Sequence, residues 1–560
     1  MNGQKSHTKP HGGGWFNREL KIFVLFLGLI SFSNLIFSNN TFALFTPTLS
    51  ASVDQANLQV NGNQVINSTD KTTEIPLNLT VNTNNKTGYA ATLNSETNET
   101  ALVNNDSSNG AKINSISANL SLNNLPNNTW GYKFGASTNY APIPALSAPA
   151  QILQTTAKTN GNESNGIKIG MKLSDNLESG RYSNKLIFSI LTNNYDHIAI
   201  MTEGPDFNTK LKSLETATNK ILYFKKSTVA PAVSINTVNI EDEESDYEIK
   251  LWLDRTDRTA YYYAEPEKVY LNKDAHAMFR GMSNPTSLDL SKFDTSQVTD
   301  MSQMFSDMSN LAALNLSNFY TSKVTDMGAM FNYTYRLISL NLSNFDTSQV
   351  TNMNSMFFGV SRLTTLNLSN FDTSKVTDMG YMFYGMPSLT TLNLSNFYTS
   401  KVTDMGAMFY GMRNLTTLNL SNFDTSQVTN MQDMFYGMSN LITLNLSNFN
   451  TSQVTNMYAM FYGMSSLTTL DLSNFNTSRV TDMRHMFYLP DGDKSMDKLE
   501  KIYVNNDFNT AKLTNFLEMF NNRKKLRGGN GSYLTNPSTA NKSWLRVDRP
   551  GVQGYFTRKP

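Results

Sequence analysis

A period of 26 residues constrains this chain more than any other feature of it. Phe293, Phe319, Phe345, Phe371, Phe397, Phe423, Phe449 and Phe475 stand 26 residues apart. A second series, Phe305, Phe331, Phe357, Phe383, Phe409, Phe435, Phe461 and Phe487, keeps the same step. Self-similarity on this scale implies an array in which each unit completes its core against its neighbours. One copy buries too little apolar surface to offset the cost of ordering its own backbone, so the copies must stack.

One copy, residues 363–388, reads LTTLNLSNFDTSKVTDMGYMFYGMPS and contains two periodicities. Leu366 and Leu368 alternate with Thr365, Asn367 and Ser369, which predicts a short strand with its leucines inward. Met379, Met382, Phe383 and Met386 fall at i, i+3, i+4 and i+7, which predicts one face of a short helix, with Thr377 or Asp378 as its N-cap. Eight such copies predict a parallel sheet roughly 34 Å across, at the usual strand spacing. The fold class expected is therefore multidomain: an all-β sandwich-like N-terminal domain followed by an α/β leucine-rich-repeat-like solenoid of parallel strands and short helices.

The sandwich comes from residues 50–192, where apolar and polar residues alternate: Ile75, Leu77, Leu79, Val81; Ile116, Ala118, Leu120, Leu122; Ile167, Ile169, Met171, Leu173. Ahead of it, Lys5, Lys9, Arg18 and Lys21 face a single acid, Glu19, and precede the uncharged run 22–37. That order marks an export signal, with small residues before a cleavage point at Ala43; an uncleaved N-terminal membrane anchor is the alternative. The expected division is 1–43 export signal or anchor, 44–200 β domain, 201–287 N-terminal cap, 288–490 eight repeats, and 491–560 a degenerate repeat with the C-terminal cap.

Composition narrows function mainly by exclusion. With 46 basic against 45 acidic side chains, net charge gives no reason to expect nucleic acid as partner. Cysteine is absent, which removes disulfide frameworks, thiolate nucleophiles and cysteine zinc sites. The five histidines show no zinc-ligand spacing, and no nucleophile signature is present. Asp491, Asp493, Ser495 and Asp497 match a calcium loop only in part, lacking its central glycine and distal glutamate. No catalytic residue, cofactor or metal is assigned, and the chain is read as not an enzyme.

The unit LNLSNFDTSKVTDMxxMFxxM, repeated eight times, resembles the repeat of bacterial surface proteins known as BspA-like leucine-rich-repeat proteins. The resemblance runs from about 252 to 556, closing on Gly554-Tyr555-Phe556-Thr557, and leaves out the N-terminal β domain. It implies an exported, extracellular protein, on the cell surface or secreted, that adheres to a host matrix protein, another cell-surface protein or a glycan. Two departures stand out. Met386, Met412, Met438 and Met464 replace the family's frequent cysteine, and Phe371 stands where an ordinary leucine-rich repeat has a buried asparagine.

Two stripes are candidates for partner binding. The first is the stripe Asp289, Asn315, Asn341, Asn367, Asn393, Asn419, Asn445 and Asp471, of which Asn341, Asn367, Asn393, Asn419 and Asn445 are the candidates for a flat hydrogen-bonding surface that takes a glycan or extended peptide. Its structural reading is a polar ladder in which neighbouring copies bond to one another. The second is Tyr384, Tyr410, Tyr436 and Tyr462, each following a repeated phenylalanine; its structural reading is rings packed between neighbours with wet hydroxyls. Lys323 with Asp326, Lys375 with Asp378, Lys401 with Asp404 and Arg479 with Asp482 suggest local ion pairs three residues apart. The function expected is adhesion through the repeated face. The alternatives are a passive spacer or coat, and a carbohydrate-active enzyme, which needs acids that break the repeat and converge.

Overall fold

The computed structural model describes residues 17–26 and 47–560, in two compact units that divide after His197. Of the expected export segment, Asn17–Phe26 is a strand; the remainder, with the cleavage point at Ala43, lies outside the described residues. Among the described residues no helix is long and apolar enough to cross a membrane.

The described residues of the first unit form eleven strands: β1 (Asn17–Phe26), β2 (Leu49–Val53), β3 (Asn57–Asn61), β4 (Thr72–Thr83), β5 (Tyr89–Ser95), β6 (Leu102–Asn104), β7 (Lys112–Ser115), β8 (Thr129–Phe134), β9 (Ala150–Gln154), β10 (Glu163–Lys172) and β11 (Tyr182–Thr192). Alternation buries Leu77, Leu79 and Val81 of β4 with Ile167, Ile169 and Met171 of β10, and Leu77 lies opposite Ile167 across the antiparallel pair. Trp130 is fully buried, its indole N–H donating to the Thr100 carbonyl at 3.0 Å.

The sandwich is corrected to a single mixed sheet ordered β2-β4-β10-β8-β7-β6-β11-β1-β3, with β5 pairing β11 and β9. Parallel pairing of β7 with β8 and of β1 with β11 makes it mixed. The run from Ile116 to Leu122 is not a strand. Leu120 makes one bridge to Tyr140, and Leu122–Asn124 is a 3-10 turn, because the Tyr140 ring packs with Ile116 and Leu125 in a satellite core of their own.

The second unit opens with the helix Gly204–Ser213 and a five-stranded sheet ordered Val238–Asn239, Lys250–Asp254, Thr259–Tyr263, Tyr223–Lys226 and Ser287–Leu288. It ends in a parallel sheet of Thr469–Asp471, Lys501–Val504 and Phe556–Arg558. Between them the copies meet in register, through single parallel bridges that run from Asp274 by way of Asp300 and Asp326 to Asp482 and Asn515. The second phenylalanine series forms one column of nearly parallel rings, with centroids 5.9 Å apart between Phe383 and Phe409 and between Phe409 and Phe435.

The expected α/β leucine-rich-repeat-like solenoid is overturned on both of its elements. β-Sheet predominates over helix, and the eight repeats contain no helix. Met379, Met382, Phe383 and Met386 are indeed buried, but in consecutive turns: the Met382 N–H bonds the Met379 carbonyl at 3.3 Å and the Tyr384 N–H bonds that of Tyr381 at 3.0 Å. The alternate N–H groups leave the copy. Those of Met379, Tyr381, Phe383 and Gly385 reach Asp404, Gly406, Met408 and Tyr410 in the next copy at 2.7 to 3.2 Å. Left-handed backbone at Tyr381 (φ 59°) and Gly385 (φ 68°) turns these groups outward and is incompatible with an α-helix.

The continuous leucine-side sheet is absent too. Strand is confined to short pieces such as Ala313–Leu314 beside Ser339–Leu340. From 365 to 446 the leucine segments are spread apart, and the backbone contacts between them are such as the Thr390 N–H to the Thr364 carbonyl at 3.3 Å.

Candidate binding face

The spreading of the leucine segments creates a groove. It is about 860 Å³ in volume and is lined by Thr365, Leu366 and Asn367 and by the equivalent residues of the next three copies, ending at Asp471. Asn367, Asn393, Asn419 and Asn445 are thus brought together, whereas Asn341 lies outside this lining. All five are exposed. Among the described residues no backbone hydrogen bond joins 391–394 to 365–368 or to 417–420, so peptide groups line the groove together with side chains.

The polar ladder expected between copies does not run through these asparagines. The Oδ1 of Asn341, Asn367, Asn393, Asn419 and Asn445 each accepts the N–H of the serine two residues on, at 3.0 Å. Asp289 and Asp471 do the same for Ser291 and Ser473. The asparagine carbonyl is therefore consumed by its own turn, and its amide N–H groups have no partner among the described residues. Asp471 is additionally paired with Lys559 at 2.7 Å; against the opposing effect of burial, Lys559 and Ser473 hold its carboxyl below the usual range.

The ladder between copies is carried by residues that sequence reasoning passed over. Asn396 Nδ2 donates to the carbonyls of Leu368 and Phe371 in the preceding copy at 2.9 and 2.6 Å, and Asn370 and Asn422 repeat the motif. The buried asparagine missing at Phe371 thus has its counterpart one residue earlier. Thr373, fully buried, donates to the Tyr398 carbonyl at 2.8 Å and accepts the Tyr398 N–H at 2.7 Å. The signal available in the sequence was a polar residue held at one position of the copies: threonine in all eight, from Thr295 to Thr477, and asparagine in all but the first, which has Lys292.

The tyrosine stripe is a face-to-face column. Tyr384, Tyr410, Tyr436 and Tyr462 follow one another with centroids 4.2, 4.2 and 4.1 Å apart. Their faces are spent on one another, leaving edges and hydroxyls for any partner. Burial and the neighbouring phenol of Tyr410 push Tyr384 up to about 12, and burial with adjacent hydroxyls raises Tyr436. Beside the column, burial pushes the carboxyl of Asp433 up to about 6.

The suggested ion pairs three residues apart do not form in the repeats with lysine. Lys323 and Lys375 reach back one copy, to Gln297 at 2.9 Å and Gln349 at 2.7 Å. Arg479 likewise bonds Gln453 at 2.6 Å. Asp497 of the calcium-like stretch turns inward to Arg523 at 3.0 Å, both fully buried, while Asp491 to Met496 is a 3-10 turn. The sequence also missed a cluster at the first copy: Asp274, His276 and Asp300 present ligand atoms within 4.8 Å of one another, a mixed oxygen and nitrogen set. His276 Nδ1 already lies 2.7 Å from Asp274.

No curated protein and no solved structure matches the chain. Three overlapping stretches, 273–390, 334–440 and 411–533, together somewhat under half of its length, match the family described as "Mycoplasma protein of unknown function, DUF285". The repeats, and not the N-terminal β unit, are therefore the part of the chain that is similar to a known family, and that family is one of unknown function.

Proposed function

We propose that this is an exported surface protein that adheres to an extracellular protein or glycan through the threonine, leucine and asparagine face of its repeats. One observation carries the reading: equivalent residues of consecutive copies converge on one groove in which side-chain amides and peptide groups lack partners among the described residues. Unspent hydrogen-bonding groups above an apolar floor are what a binding face needs, and repetition lets weak contacts add. The resemblance to BspA-like surface repeats supports the same reading, as does the basic-then-apolar order of residues 1–37.

The carbohydrate-active enzyme has no support in the groove, whose one acid, Asp471, is tied to Lys559. A passive spacer is the competing role. The test is deletion of three internal copies, residues 363–440, from the otherwise complete chain, followed by binding to matrix proteins, glycans and whole cells. Adhesion should fall steeply with the lost copies. If the shortened chain binds as well as the parent, or the parent binds nothing, the spacer is the better description.

A further inference from the structure

We infer that the groove takes an uncharged linear glycan lying across the copies; this deepens the adhesive reading above and rests on it. Charge comes first. Asp471 is the one ionisable residue of the lining and Lys559 neutralises it, so a sulfated or sialylated polymer, or an acidic or basic peptide, finds no counter-charge along the groove.

Hydrogen-bonding character comes next. Because every Oδ1 of Asn367, Asn393, Asn419 and Asn445 is committed to a serine N–H, each copy offers a fixed amide donor, and its open peptide groups offer both donors and acceptors. Sugar hydroxyls donate and accept at once, so they can satisfy such a mixed row. The half-buried Leu340 and Leu392 and the exposed Ile442 supply the apolar surface for the C–H faces of the sugar rings.

Direction separates glycan from peptide. An added β-strand would pair with one neighbouring strand along its length, whereas this groove crosses the copies and presents the same three residues once per copy. A ligand that matches it must itself repeat, which a homopolymer of one sugar does.

The test uses the complete chain and calorimetric titration with β-linked oligomers of glucose and of N-acetylglucosamine, from disaccharide to hexasaccharide, with hyaluronan as a charged comparison. Kd for the neutral oligomers should fall at least about tenfold with length, since each added sugar meets another copy, and should be insensitive to salt. The double variant Asn393→Asp, Asn419→Asp should weaken the hexasaccharide at least about tenfold. It removes the N–H donors while keeping the serine contact, as Asp289 and Asp471 already do, and an unchanged melting temperature confirms folding.

Absence of binding to every neutral oligomer overturns the inference, as does tighter, salt-sensitive binding of hyaluronan or a double variant that binds as the parent does. If neutral oligomers fail while deletion of 363–440 still abolishes adhesion to a protein, the glycan is wrong and the adhesive face stands. If the deletion has no effect either, both fall.

Discussion

Asp433 carries an energetic cost that its neighbours in the series, Ala407 and Ala459, avoid. Its folded-state value of about 6 lies above the ordinary 3.8, so the folded chain holds the proton more tightly than the unfolded one. Stability is then greatest below about pH 4 and declines as pH rises through about 6. An asparagine in its place would keep the shape and tolerate the left-handed backbone at this site (φ 54°). Asp433→Asn should therefore stabilise by about 1 to 2 kcal/mol at pH 7.5, after discounting for partial exposure, and by nothing at pH 3.5; urea melts at the two pH values decide it. Glu74 of the first unit has the opposite sign. Burial opposes its ionisation, yet Lys168, Tyr140 and Lys133 hold it down at about 2, so its contribution is present above pH 4.5 and fades as pH falls toward 2. Because it is only half-buried and its lysine partners reach solvent, it contributes about 1 kcal/mol, the loss expected for Glu74→Gln in a neutral-pH melt. Arg523 makes the larger demand. Its guanidinium, fully buried, bonds the carbonyls of Phe487 and Met464 as well as Asp497. Arg523→Met should cost about 3 to 5 kcal/mol by stranding the carboxylate, and adding Asp497→Asn should recover much of it; a double-mutant cycle in denaturant measures both.

At the scale of the element, two asparagines three residues apart do opposite work. Asn396 spans two carbonyls of the preceding copy, and Asn396→Ala should cost about 1 to 3 kcal/mol by leaving them unpaired. Asn393 serves only its own turn, and Asn393→Ala should stay within about 1 kcal/mol, so parallel thermal melts of the two variants separate ladder from face. The same contrast shows what was legible beforehand. The spacing of Met379, Met382, Phe383 and Met386 picked out the buried set correctly, because inward-facing residues must be apolar whatever the backbone does. It could not choose between a helix and paired turns. That choice lies with N–H groups whose acceptors are 25 residues away, as for Phe383 and Met408, and local periodicity carries no record of them. The alternation of Leu366 with Asn367 was readable in the same way, whereas the opening between neighbouring leucine segments was not, since it depends on how far apart the copies sit. The Asp274, His276 and Asp300 cluster escaped because one of its members comes from the following copy.

For the second unit as a whole, register is the governing quantity. The Thr373 hydroxyl row links residues 25 positions apart, and the Asn396 amide row links residues 25 and 28 positions apart. Removing one complete copy, residues 389–414, should leave each donor facing an equivalent acceptor and shift the melting temperature only slightly. Removing half of one, residues 389–401, would set leucines against turns and should abolish cooperative unfolding, as followed by circular dichroism. The column of phenols adds a means of watching this happen. Cofacial chromophores about 4 Å apart, as in Tyr436 and Tyr462, share their excitation, so the array should give an exciton-split near-ultraviolet signal that no isolated tyrosine produces. The chain thus carries its own optical gauge of alignment, one that dims copy by copy wherever the repeats come apart.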